Sequence, residues 1–155
     1  MLKKRLNDFF HSGVIFFMLK KGIKMFIQIN ENPKNKLVGD CVIRAISTFL
    51  NQDWNTTYLG LAVQGYIDAD LMSADEVWGN YLIHKGYERN ILPHDCPNCL
   101  TVRDLAELHP NGKFLLFVGG HVVPVINGNY YDTYDSGDRV VIYFFQKVRR
   151  NQSAI

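Results

Sequence analysis

Lys113-Phe114-Leu115-Leu116-Phe117-Val118-Gly119-Gly120-His121-Val122-Val123-Pro124-Val125-Ile126-Asn127-Gly128-Asn129-Tyr130-Tyr131-Asp132 is the stretch that decides the fold. Three β-rich runs, 113–118, 121–126 and 129–132, are parted by Gly119-Gly120 and Asn127-Gly128, and a fourth covers 140–145 after Ser136-Gly137. Asn-Gly between two such runs is the strongest short-range hairpin signal, because both residues tolerate the positive φ of a type I′ turn. His121 and Asp132 are therefore expected on one antiparallel ribbon.

Upstream the pattern changes period. Met25 to Ile29 alternates weakly as a strand, and Asn32-Pro33-Lys34-Asn35-Lys36 reads as a polar loop. Ile43, Ile46, Phe49 and Leu50 then recur at helical spacing, so an amphipathic helix opens at Asp40-Cys41. A second helix is expected over 55–66. A third begins near Ser73, whose hydroxyl would cap a first turn closed by Glu76 as a capping box, and Gly86 supplies the stop. Thr101-Val102-Arg103-Asp104 opens a short helix ending near His109-Pro110. Helices first and sheet second give an α+β fold, with the Cys41 helix packed on the C-terminal antiparallel sheet. Trp54, Trp78, Tyr81 and the 114–117 run follow element periodicity and are expected in the core. Tyr130, Tyr131 and Tyr134 alternate along a strand beside His121, which puts some of them at the rim of a cleft.

The chain has 155 residues, 47% of them hydrophobic, and carries no repeat, which is enough for one domain with a real core. That domain is expected over 25–150, with 151–155 as a tail. The net charge of +2 is set by the first 24 residues, which hold six Lys or Arg and one acid. The remainder has eleven basic and fourteen acidic side chains, so it offers no electrostatic footprint for nucleic acid. Lys3-Lys4-Arg5 followed by the apolar run 14–19 imitates a signal peptide, but no small-residue cleavage site follows, and Lys20-Lys21 interrupts a run too short to span a bilayer. A basic amphipathic surface helix is the weaker alternative there. Lys20-Lys21-Gly22-Ile23-Lys24 reads as the product of an A-rich ribosome-binding sequence, which makes Met25 the expected start and 1–24 an extension. Three cysteines do not make a disulfide framework, so a reducing, cytoplasmic setting is expected.

Cys41 is the residue with most chemistry to offer. The thiolate is the reactive form of cysteine, and a helix N-terminus favours negative charge through its unpaired N–H groups and its dipole. Cys41, His121 and Asp132 follow one another in the order nucleophile, base and orienter. Asp40 is expected to cap the helix. Cys96-Pro97-Asn98-Cys99, with His84, His94 and His109 nearby in sequence, is a single knuckle without the four convergent ligands of structural zinc, and no thioredoxin-like βαβ pattern surrounds it. A surface loop bearing a thiol pair is the expectation, with no metal and no cofactor.

On these residues the chain resembles the papain-like cysteine peptidase superfamily, in particular its compact bacterial and phage-borne members, over roughly Leu37 to Phe145. The resemblance rests on a helix-borne Cys41, a strand-borne His121 and a downstream Asp132-Thr133-Tyr134, similar to the family's orienting residue, small residue and shielding aromatic. It implies an acyl-enzyme mechanism with Cys41 as nucleophile, His121 as base and Asp132 as orienter. Asp135 is the competing orienter. Asn35, six residues before Cys41, takes the place of the family's oxyanion-hole amide, alongside the Cys41 backbone N–H, and Tyr134 stands at the substrate rim. The implied partner is a peptide or protein substrate, not nucleic acid or a membrane. Three functions are compatible: a thiol hydrolase of peptide, isopeptide or related amide bonds; a transglutaminase-like acyl transferase; and an inactive binding or inhibitor module on the same fold.

Overall fold

A computed structural model describes residues 25–93, 97 and 99–148. The basic extension, the tail, His94, Cys96 and Asn98 lie outside the described residues. The elements run β1 (Phe26–Gln28), α1 (Cys41–Leu50), α2 (Trp54–Asp68), α3 (Asp75–His84), β2 (Tyr87–Ile91), α4 (Val102–Leu108), β3 (Lys113–Phe117), β4 (Val122–Ile126), β5 (Asn129–Asp132) and β6 (Tyr143–Lys147). The six strands form one mixed sheet in the order β1-β5-β4-β3-β6-β2, with β1 parallel to β5 and every other pair antiparallel. This is an α+β architecture.

Strand alternation divides the core into two layers, one on each face of the sheet. Leu115, Val122, Tyr143 and Phe145 join α1, α2 and α3 through Ile46, Phe49, Leu61, Trp78 and Leu82. Leu116, Val123, Val125 and Tyr130 turn to the other face and meet Val102, Leu105 and Ala106 of α4. Consecutive residues of β3 and β4 thus serve opposite cores, the two-residue period of a strand buried on both sides. Trp78 and Tyr81 are buried as their spacing predicts, and Trp54 is half-buried.

The β4–β5 hairpin closes through Asn127 and Gly128, both at positive φ (50° and 77°), with Ile126 opposite Asn129. β4 pairs with β5 only at Val125 and Ile126, so Pro124, which has no N–H, sits where that ladder has stopped. Thr101 and Asp104 form a reciprocal capping box at the start of α4.

Several expectations need correction. α3 starts at Asp75, and its N-cap is Ala74 without a side-chain cap, so Ser73 and Glu76 form no capping box; the charge of Asp75 and Glu76 in the first turn favours that helix end instead. The last strand begins at Tyr143 and not at Val140, because Val140 bridges to Thr101 and the Val141 N–H donates to the Leu100 carbonyl. β2 was not anticipated at all.

Candidate active site

The loop before α1 is organised by amide side chains. The Asn32 carbonyl oxygen accepts from the N–H groups of Lys34 and Lys36, and Asn35 adopts a left-handed φ of 51°. The chain then turns through Gly39 and Asp40 into α1, whose first residue is Cys41, half-buried and a free thiol. Asp40 is the N-cap residue by position, yet its side chain caps no backbone N–H, which corrects the capping role expected of it. Its oxygens accept instead from Arg44 Nη1, from Asn32 Nδ2 at 2.8 Å and from Trp54 Nε1 at 3.0 Å. The first intrahelical bond is Arg44 N–H to the Asp40 carbonyl, so the N–H groups just before it have no partner within the helix.

His121 is delivered from the opposite side. Gly119 and Gly120 both take left-handed φ values (72° and 69°), and Val118 N–H donates to the His121 carbonyl at 2.9 Å, closing a tight turn that only glycine enters without strain. Arg139 Nη2 donates to the carbonyls of Val118 and Gly119, both at 2.9 Å, and ties that turn to the segment following β5. Extending the hairpin register places His121 opposite Tyr134, and their rings stack with centroids 5.3 Å apart.

Asp132, the last residue of β5, is buried and accepts from His121 Nε2 at 2.6 Å. Its other oxygen accepts from the Thr133 N–H at 2.7 Å, so the carboxylate is held at both ends, and its backbone carbonyl accepts from Ile29 N–H just past β1. Burial alone would disfavour a charged imidazole. The hydrogen bond to Asp132 and its negative charge, with the nearby Cys41 side chain, outweigh burial and push His121 up to about 9. With Nε2 occupied by Asp132, Nδ1 is the ring nitrogen left for the thiol. A narrow cavity lies against the pair, lined by Cys41, Arg44, Val122, Tyr131, Asp132 and Thr133.

The other candidates fall as follows. Asp135 lies away from His121: its carboxylate accepts from the Tyr130 hydroxyl at 2.6 Å and from Gly137 N–H, and the Tyr130 bond holds it below the usual carboxylate range. Asn35 is exposed in the loop, with its carbonyl oxygen accepting from Asn30 Nδ2 at 3.0 Å, and it does not line the cavity at Cys41. Tyr130 is fully buried and stacks on Phe26, so it is core and not rim, while Tyr131 lines the cavity and Tyr134 is exposed over His121. Cys99 is disulfide-bonded, which corrects the expectation of a free thiol pair. Among the described residues no cluster of His, Cys, Asp or Glu is arranged to hold a metal ion, and no helix is long and apolar enough to cross a membrane.

Sequence reasoning missed Arg44, although Asp40 and Arg44 are spaced as a helical i,i+4 pair, and it missed Arg139, for which no local pattern exists. Comparison of the chain with protein-family models, with curated proteins and with solved structures finds no match.

Proposed function

We propose that this protein is a thiol hydrolase of papain-like type, cleaving a peptide, isopeptide or related amide bond through Cys41, His121 and Asp132. The observation that carries the reading is one imidazole bonded through Nε2 to a buried carboxylate and lying near the half-buried thiol at a helix start. His121 is charged at neutral pH in that setting, which is the partner a thiolate needs.

The steps follow from those groups. The Cys41 sulfur attacks the carbonyl carbon, a C–S bond forms, and the carbonyl oxygen takes up the electron pair. Unpaired N–H groups in the first turn of α1 stand beside that oxygen. Collapse breaks the C–N bond as His121 gives its proton to the departing amine, leaving a thioester. Water then adds with its proton passing to His121, the C–S bond breaks, and the acid leaves as Cys41 regains its starting state. Asp132 fixes the ring orientation throughout. Tyr134 covers the imidazole face and limits water there. On this reading the partner is a peptide or protein, and an amine in place of water would give acyl transfer from the same thioester.

The test is labelling by a peptidyl vinyl sulfone. Wild type should take up the probe at Cys41, Cys41→Ala and His121→Ala should not, and Cys96→Ala should label like wild type. A folded wild-type protein that never labels would leave the fold as a binding module.

A further inference from the structure

Arg44 is a buried cation that the mechanism above does not use. It follows Cys41 by three positions on α1, so both side chains share one face of the helix. The residue is 8% exposed, and Nη1 donates to Asp40 and to the Val38 carbonyl at 3.3 Å. It also lines the cavity against which Cys41 and Asp132 stand. Burial works against its charge, and the Asp132 carboxylate works in its favour across that cavity. A buried arginine stays charged and has to be compensated by anions. Asp40 and Asp132 are those anions, one on each side.

We propose that Arg44 is a positioning residue, a buried cation fixed by Asp40 that presents its charge to the cavity shared by Cys41 and Asp132 and so speeds attack by the Cys41 sulfur. Arg44 then stands between two acids, Asp40, which it bonds, and Asp132 across the cavity. Asp40 serves as the anchor of Arg44, which explains why an acid at the N-cap spends its oxygens on Arg44, Asn32 and Trp54 and leaves the helix N–H groups free. The charged and titratable groups at or beside the cavity are Asp40 at the N-cap, Cys41 on α1, His121 ahead of β4, Tyr131 and Asp132 on β5, Tyr134 just beyond it, and Arg139, which acts on Tyr134. The inference rests on the thiol-hydrolase reading.

The experiment compares iodoacetamide alkylation of Cys41 at pH 6 and pH 8.5, read by peptide mapping on protein shown to be folded by its thermal transition. Arg44→Met alone would leave Asp40 buried and unpaired, so it is made together with Asp40→Asn. The double variant should lose about tenfold or more in rate at pH 6 while staying within about twofold of wild type at pH 8.5, because a nearby cation is worth one pH unit or more to an anion. Arg44→Lys, which keeps the charge, should recover most of the pH 6 rate. If the double variant does not fold, Arg44→Gln made with Asp40→Asn keeps a donor for the Val38 carbonyl, removes both charges and gives the same readout. A folded, uncharged variant that alkylates at pH 6 as fast as wild type overturns the role of Arg44 and leaves the nucleophile reading intact. Wild-type protein that is itself slow at pH 6 and fast only at pH 8.5 overturns both.

Discussion

Two acids three positions apart at the end of β5 have separate tasks, and single substitutions should separate them. Asp132→Asn keeps the shape but can present an amide N–H donor where the ring nitrogen needs an acceptor, so turnover should fall about 10²- to 10⁴-fold, with a lower thermal midpoint as the pair's contribution is lost. Asp135→Asn should leave turnover near wild type, because Asp135 serves Tyr130, Gly137 and Arg103. Steady-state rates on any substrate the wild type cleaves decide it, and equal losses for the two variants would remove Asp132 from its role. His121 also ties stability to pH. Its folded value near 9 lies above the ordinary 6.5, so its contribution is complete below about pH 6.5 and is lost as pH rises through about 9. That contribution is on the order of 3 kcal/mol. Melting curves between pH 6 and 9.5 should therefore fall more steeply for wild type than for His121→Gln; parallel curves would contradict the linkage.

Turns and caps set the elements that deliver these side chains. Gly120 has φ of 69° with open space where a Cβ would go, so Gly120→Ala isolates backbone strain, costing about 1–2 kcal/mol. The same variant should lower turnover by moving His121, whereas Thr101→Ala, which removes one half of the α4 capping box, should cost about 1 kcal/mol in denaturant unfolding and leave turnover unchanged. A Gly120→Ala protein with wild-type kinetics would show that the turn does not position the imidazole. Much of this level was legible in the sequence. The Asn127-Gly128 hairpin and the Cys41 helix follow from turn chemistry and apolar spacing, and both appear where local rules put them. β2 was invisible because Tyr87-Glu88-Arg89-Asn90-Ile91 has charged and polar centres suited to an edge strand, and its pairing with β6 along its whole length is a long-range event. The parallel pairing of β1 on β5 and the Arg139 clamp were hidden for the same reason: neither has a signature within a few residues of its own position. Asp40 misled because an acid before a helix ordinarily caps it, and here a guanidinium and an indole one and several turns away take its oxygens.

At the scale of the molecule the two faces of the sheet do different work. α1, α2 and α3 share the core around Trp78, which packs on Phe117, Tyr143 and Phe145, and α4 closes the other face. Trp78→Ala should cost about 3–5 kcal/mol, measured by urea unfolding, since the indole is 1% exposed and the space it leaves cannot collapse without shifting three elements. Cys41→Ala, by contrast, removes a half-buried group at a helix start and should cost well under about 2 kcal/mol. The acid–base pair belongs to one hairpin, while the thiol arrives on a helix from far upstream that rests on β3, β4 and β5. Reactivity of Cys41 therefore depends on contacts between segments far apart in sequence, whereas the His121–Asp132 bond is local to one hairpin. Under mild denaturant it should vanish before the sheet's circular-dichroism signal does, and a coincident loss would mean that helix and sheet come apart as one cooperative unit.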